Sequence, residues 1–286
     1  MTVVTDQKKR EEALRAILAD QAVFRFAGTM ESLPSLPETY LALCRAASDP
    51  LSSVSEITRI IEMDPAISVR LLQLVNSAFF GVARRTTSIP KAVSILGTNL
   101  LKSLVLSAHM CNAMELHPTR SFSMSAYQNY AIRVGRLARR LAGSTGLGDD
   151  AFTAGMMLGI GQIVLALQEP ALFEQVLGRV ALSSESQHQV ERELMGTTHS
   201  EIGAFVLSTW GIPFSIVESV AFSYCPNLVG PGDCKLIALV HAAEALTGIV
   251  ECNEPEDKLD QAFLVRAGFA AELPQWRRLA EGARDP

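Results

Sequence analysis

The chain has 286 residues, of which 48% are hydrophobic and 19% are charged, so it can bury a substantial core in one large domain or two small ones. Its net charge of −5 excludes a strong overall attraction to nucleic acid or to an anionic membrane surface. The five cysteines are odd in number and include no C-x-x-C pair, which favours reduced thiols over a disulfide framework or a zinc knuckle.

The N-terminal segment, residues 1–31, is predicted to be a helical arm whose helix runs from about residue 6 to residue 26. Its charges stand where a secretory signal would need a continuous apolar stretch, so we expect a cytoplasmic protein. This helix could also pair with a second copy of itself, which leaves the oligomeric state open.

Short amphipathic helices are predicted to form an N-terminal helical subdomain over residues 32–118. Ser53 stands three residues before Glu56, which is the spacing of a capping box at the start of a helix. Asp64 and Pro65 are suited to be the N-cap and the first residue of the next helix. Gly97 interrupts a long apolar segment and predicts a break there.

Helical periodicity continues through a second subdomain, residues 119–251, and a C-terminal extension, residues 252–286. Helices are predicted over about residues 124–146, 149–167, 171–182, 185–194, 200–210, 213–223 and 235–250, with two short ones after them. Alternating runs typical of strands are scarce, and no repeat of fixed period is present. The sequence therefore predicts an all-α fold.

The segment "AFTAGMMLGIGQIVLALQ", residues 151–168, has no charged side chain and nearly reaches the length of a membrane span. It contains three glycines and two glutamines, and neither edge carries a Lys/Arg cluster or a Trp/Tyr belt. We therefore predict a buried core helix and no membrane association.

Four stretches together resemble the HDOD domain, an all-helical relative of the HD metal-dependent phosphohydrolases that occurs in bacterial signalling proteins. The most specific is "DPAISVRLLQLVNSAFFG", and the others are "SIPKAVSILGTNLLKSLVLS", "AFTAGMMLGIGQIVLA" and "ERELMGTTHSEIGAFVLSTWGIP". The resemblance covers residues 32–251 and implies a two-subdomain multi-helical bundle of the HD type.

The resemblance also indicates where HD phosphohydrolases would hold their metal ions. The positions of the metal ligands fall at or beside Asn129, on the pair Leu158-Gly159, on the pair Ser223-Tyr224 and near Glu244, and two histidines, His199 and His241, are expected nearby. A leucine and a glycine cannot ligate an ion, and one carboxylate does not make a site. The resemblance therefore implies a vestigial pocket with no catalytic residue, no bound metal and no cofactor.

Two other uses of this pocket stay open at this stage. His199, His241 and Glu244 could together bind one ion, which would make the protein a phosphohydrolase or phosphodiesterase with an altered site. Alternatively, the cleft could hold a small nucleotide as a sensor. No His-Asp dipeptide and no H-x-x-x-H spacing exist in the chain, so we favour a hydrogen-bonded, helix-capping role for His199.

A first candidate interaction surface follows the helix that begins at Asp64. It comprises Arg70, Asn76, Ser77, Phe79 and Phe80. The polar side chains could bond helix-terminal carbonyls and fix a loop that the two aromatic rings seal, and this structural role is favoured over a peptide- or ligand-binding loop.

A second candidate surface is a stripe of arginines, Arg133, Arg136 and Arg140, at three- and four-residue spacing. Such a stripe could pair with phosphates, but in a chain of negative net charge a solvated face or a contact with an acidic partner is favoured over nucleic-acid binding.

The leading hypothesis is a non-catalytic bacterial signal-transduction module that acts by protein–protein interaction. No receiver, GGDEF or EAL-like segment is evident in the sequence, so we expect its signalling partners to be separate proteins.

Overall fold

The computed structural model describes residues 2–27, 37–49, 52–76, 86–115, 122–183, 185–229, 233–252 and 254–282. The α-helices in these ranges are α1 (Thr2–Leu18), α2 (Gln21–Ala27), α3 (Glu38–Ser48), α4 (Val54–Glu62), α5 (Pro65–Val75), α6 (Ile89–Glu115), α7 (Met124–Ala142), α8 (Gly148–Met157), α9 (Ile160–Gln168), α10 (Pro170–Leu182), α11 (Gln187–Met195), α12 (His199–Thr209), α13 (Phe214–Phe222), α14 (Lys235–Cys252), α15 (Gln261–Arg266) and α16 (Leu273–Glu281). The described ranges contain no strand, which confirms the predicted all-α class.

The chain divides into two compact units. Unit 1 comprises Met1–Leu33 and Met114–Pro286, and unit 2 comprises Pro34–Ala113. Unit 1 therefore contains α1 and α2 together with α7 to α16, and unit 2 contains α3 to α5 and all of α6 except its last two residues.

The helix starts in unit 2 follow from the local sequence. The hydroxyl of Ser53 accepts a hydrogen bond from the backbone N–H of Glu56, and the carboxylate of Asp64 accepts one from Ile67. Both caps were predicted, and each satisfies a backbone donor that has no partner within the helix. Gly97 has a φ of 73° and produces the predicted break inside α6.

The long uncharged segment forms two helices, α8 and α9, instead of one. Leu158 and Gly159 lie at the joint between them, and Gly159 has the non-helical backbone angles φ −93° and ψ 12°. Gly148–Gln168 and Ile89–Leu106 are long and apolar enough to cross a membrane by composition alone, but 83% of the former is buried inside the protein. The core role predicted for residues 151–168 agrees with this burial.

Glycines allow the helices of unit 1 to approach one another closely. A Cβ atom on Gly155 would lie 2.8 Å from the Cα of Gly135, which brings α8 against α7. A Cβ atom on Gly161 would lie only 1.9 Å from the carbonyl oxygen of His199, at the start of α12. These contacts fix the backbone around His199 relative to α9.

The N-terminal segment packs within unit 1 and does not form the separate arm that was predicted. It consists of two helices, and Leu14 and Phe26 are each only 1% exposed. The guanidinium of Arg10 donates two hydrogen bonds to the buried carboxylate of Glu218 on α13, one of them 2.7 Å long. An apolar face and a paired charge thus attach the mixed-charge helix to the core.

We predict that Gly161→Ala lowers the free energy of unfolding by about 1–3 kcal/mol, because the methyl group of the alanine would overlap the carbonyl oxygen of His199. The matched control is Gly178→Ala in α10, where a Cβ atom has no neighbour within 4 Å. That change should be neutral or stabilise by up to about 1 kcal/mol, since alanine favours helix more than glycine does. Urea unfolding of both variants measures the difference, and equal midpoints would refute the close contact.

Candidate functional site

Leu158 and Gly159 lie where the resemblance places the His-Asp pair of an HD phosphohydrolase. The side chain of Leu158 is 3% exposed, and the ring of Tyr127 on α7 packs directly over Gly159. A Cβ atom on Gly159 would lie 2.4 Å from Cε2 of Tyr127. Hydrocarbon therefore fills this position, and an aspartate would require the tyrosine ring to move.

The ligand position predicted at or beside Asn129 falls on its neighbour, and Asn129 itself does not face the site. Its side chain is exposed, because a helix turns by about 100° per residue and directs the neighbouring position inward instead. The inward side chain is Tyr130, whose hydroxyl lies 3.3 Å from Oε1 of Glu244 on α14. Sequence reasoning missed both Tyr127 and Tyr130.

Glu244 is a buried carboxyl group, only 6% exposed. Burial, and secondarily the negative charge of Glu254, raise its pKa to about 7, while Lys258 and the hydroxyl of Tyr130 act in the opposite direction. Lys258 is itself paired with Glu254, at 2.5 Å. Glu244 is consequently a group that exchanges a proton near neutral pH.

His241 and Ser223 have structural contacts that remove them from any ligand set. The Nδ1 of His241 donates a 2.7 Å hydrogen bond to the carbonyl oxygen of Ser223, and its Nε2 accepts one from the backbone N–H of Asp260. Both ring nitrogens are therefore used, and the ring joins the end of α13 to the start of α15. The alternative in which His199, His241 and Glu244 bind one ion together is disfavoured, because both ring nitrogens of His241 are engaged elsewhere.

His199 is the predicted pocket residue with the most extensive polar contacts. Its side chain is 1% exposed, and its Nδ1 lies 2.8 Å from both carboxylate oxygens of Glu191. Its backbone N–H also donates to Glu191, at 2.9 Å. The N-cap of α12 is Thr198, which forms a capping box with Glu201, so His199 is hydrogen-bonded as predicted but does not cap the helix with its side chain.

His188 and Tyr224 complete the aromatic wall of this cluster. The ring centroid of His188 lies 4.4 Å from the ring centroid of His199 and 4.0 Å from that of Tyr224. Burial and, secondarily, the neighbouring His199 lower the pKa of His188 well below its usual value. Burial and nearby carboxylates raise the pKa of Tyr224, which keeps its hydroxyl protonated at neutral pH.

Three of these side chains have the donor types that a metal ion prefers. One ligand atom each of His188, Glu191 and His199 lies within 4.8 Å of the other two. The sequence contains a signal for half of this set, since His188 and Glu191 are three residues apart and share one face of α11. The position of His199 beside that face depends on the turn between α11 and α12.

The residues at the HD ligand positions do not fit a catalytic metal centre. Leu158 and Gly159 offer no donor atom, Asn129 is exposed, and the carbonyl group of Ser223 is engaged by His241. Glu244 bonds Tyr130 and is not part of the cluster around His199 in which ligand atoms converge.

The first predicted interaction surface lies in unit 2 and is only partly described. The side-chain amide of Asn76 makes two hydrogen bonds to the backbone of Thr86, at 2.7 and 2.8 Å, and so joins the two ends of the segment between them. Arg70 is partly exposed on α5. The remaining members, Ser77, Phe79 and Phe80, lie outside the described residues.

The arginine stripe on α7 is partly neutralised within the chain. Nε of Arg133 lies 2.5 Å from the carboxylate of Glu251. Arg136 is partly buried and is not without an interaction partner. Arg140 is exposed near the C-terminal end of the helix. The stripe is thus no continuous row of exposed cations, which weakens the case for phosphate binding.

We predict that Glu244→Gln removes a pH-dependent loss of stability. The folded-state pKa of about 7 exceeds that of a carboxyl group in the unfolded chain, so folding favours the protonated form and stability falls as the pH rises from about 4.5 to 7. Compared with the wild type, the variant should gain roughly 3 kcal/mol at pH 8 and less than about 1 kcal/mol at pH 5. Urea unfolding at both pH values measures this, and an equal difference at both would contradict it.

Comparisons with known proteins agree with this architecture. The chain is 27% identical over 243 residues to an uncharacterized protein of Treponema pallidum, and it spans about half of that relative's length, 46%, while 83% of this chain is covered. An HDOD domain protein of unknown function from Geobacter sulfurreducens superposes with a TM-score of 0.69 at 19% identity, covering 95% of this chain and 99% of that one.

A further solved structure, from Marinobacter aquaeolei VT8, bears a provisional name as a signal transduction protein. It superposes with a TM-score of 0.71 at 25% identity, covering 95% of this chain and 64% of that one. The family model of the HDOD domain matches residues 33–226, which is more than half of the chain. This chain is therefore a member of the HDOD domain family.

Proposed function

We propose that this protein is a non-catalytic module of bacterial signal transduction that acts in the cytoplasm through contacts with other proteins. The observation that carries the proposal is the packing of Tyr127 over Gly159 beside the buried Leu158. Activation of a water molecule for attack on a phosphoryl group needs a metal ion held in an open position. The side chains of Leu158 and Tyr127 occupy the position where HD enzymes place the central ligand pair.

The competing enzymatic function would require the remaining polar groups to assemble a different centre at the same place. His241 is committed to Ser223 and Asp260 through both ring nitrogens. Glu244 is protonated in part at neutral pH and is screened by Tyr130, so it is a weak ligand there. These contacts favour a scaffold over a phosphohydrolase or phosphodiesterase, and the same crowding disfavours a nucleotide in the vestigial pocket.

Contacts with a partner would use exposed side chains, and unit 2 offers several apolar ones. Met63 is 80% exposed at the end of α4, and Val69 is 54% exposed on α5, directly before Arg70. Val69 and Arg70 are consecutive residues on α5, and apolar side chains together with arginine occur in protein-binding surfaces. We place the partner-binding surface on this part of unit 2, with Arg70 as its polar member.

We predict that the purified chain does not hydrolyse phosphate esters. Bis-p-nitrophenyl phosphate, nucleotides and cyclic dinucleotides should show only background hydrolysis with added Mn²⁺, Fe²⁺ or Zn²⁺, because no ligand pair exists at Leu158 and Gly159. His199→Ala is the control, and its rate should equal the wild-type background. Turnover above background that disappears in His199→Ala would overturn the non-catalytic assignment.

We predict that the partner-binding surface can be located by site-specific photo-crosslinking in the native host. A photoreactive residue at position 63 or 69 should form a discrete adduct with another protein, and Arg70→Glu should reduce its yield by about tenfold, a loss of about 1.4 kcal/mol. The matched control is position 182, since Leu182 is a 92% exposed apolar residue of unit 1. Equal adducts at all three positions, or none at 63 and 69, would refute this surface.

A further inference from the structure

We propose that His188, Glu191 and His199 form a binding site for one divalent transition-metal ion of the Zn²⁺ class. The three side chains are contributed by α11 and by the first residue of α12. His199 belongs to the predicted pocket, but His188 and Glu191 do not, and the set includes none of Leu158, Gly159 and Glu244. The inference goes beyond the proposed function and does not depend on it.

The geometry of the three donors is close to that of a coordination shell. One donor atom from each residue lies within 4.8 Å of the other two, and Nδ1 of His199 lies 2.8 Å from the carboxylate of Glu191. Ligand atoms bonded to one zinc ion at about 2.1 Å are separated by roughly 3.0 to 3.5 Å. A movement of about 1 Å closes the set, and a rotation of the His188 ring makes it when the hydrogen bond to Ser200 is exchanged for a bond to the ion.

The electrostatics of Glu191 favour a cation at this place. Its carboxylate is fully buried, and its partners are the backbone and ring of His199 and the amide of Gln187. Among the described residues it forms no ion pair with a lysine or arginine. A buried carboxylate is costly without a charge partner, and a divalent ion bound by the same atoms would supply that charge directly.

The neighbouring cations do not oppose such an ion strongly, because each already has its own partner. Arg192 is paired with Glu201 at 2.6 Å, and Lys258 is paired with Glu254. Imidazole nitrogens and one carboxylate form a donor set suited to zinc, cobalt and nickel rather than to calcium or magnesium. The ligand class is therefore a late first-row divalent ion.

The surroundings of the cluster favour a structural or sensory role for the ion. Nε2 of His188 lies 2.7 Å from the hydroxyl of Ser200, and the ring of Tyr224 stacks on the ring of His188. Ser200 and His199 are each only 1% exposed, so a substrate has little access to the ion. Bound metal would tie α11 to α12 across the turn at Gly196, and the stability of this hairpin would then follow the metal concentration.

The test is Zn²⁺ binding to the full chain after removal of metal with a chelator. We expect one Zn²⁺ per chain by elemental analysis and calorimetry, a rise in Tm of about 5 °C at a hundredfold excess over Kd, and d–d absorption bands with Co²⁺. His188→Gln should weaken Zn²⁺ affinity about 100-fold or more, because removal of a ligand exceeds the loss measured for an outer-shell partner. Circular dichroism verifies folding, and Glu191→Gln provides a second variant should His188→Gln not fold.

The control variant is Cys225→Ser, which removes a partly exposed thiol next to Tyr224 and should leave Zn²⁺ affinity within about threefold. The proposal is overturned if the wild type binds no stoichiometric Zn²⁺, or if affinity falls in Cys225→Ser and not in His188→Gln. Assays for phosphate-ester cleavage on the metal-loaded protein separate the two proposals. Binding without cleavage supports both, whereas binding with cleavage supports the metal site and refutes the non-catalytic function.

Discussion

The structure of unit 1 depends on the close approach of α9 to its neighbours, which glycines at the beginning of that helix make possible. Gly161 brings the backbone of α9 against the carbonyl group of His199, and Gly159 leaves space for the ring of Tyr127. A side chain at either position would push apart the helices that carry the polar cluster. Gly161 therefore sets the position of His199, and Gly159 lets the ring of Tyr127 fill the position that the resemblance assigns to the His-Asp pair.

Unit 1 buries several carboxyl groups, and the cost of burying each charge is reduced in a different way. Glu218 is matched by the guanidinium of Arg10, and Glu244 is partly relieved by protonation. Glu191 accepts hydrogen bonds from His199 and from the amide of Gln187, and among the described residues no lysine or arginine pairs with it. A buried carboxylate without a lysine or arginine partner, next to two imidazole rings, is the physical basis of the proposed metal site.

The sequence predicted the positions of some site residues and not of others. The difference depends on whether local sequence or the packing of helices decides where a side chain lies. The buried environment of Leu158 was expected because an uncharged run of that length has to be covered by other helices. The sequence placed one ligand position at or beside Asn129 and could not choose between neighbours, because a shift of one residue on a helix turns a side chain from the core to the solvent. The structure directs Tyr130 inward. His241 was assigned to the pocket through its spacing to Glu244, although its ring turns toward Ser223 and Asp260.

The sequence by itself determined the helical class, the capped helix starts at Ser53 and Asp64, and the break at Gly97, because hydrophobic periodicity, side-chain caps and glycine conformation act over a few residues. Only the tertiary structure decided that His188 and Glu191 meet His199, that Tyr127 covers Gly159, and that the N-terminal helices pack on the core. These contacts depend on the angles at which whole helices cross, and no local pattern in the chain specifies such angles.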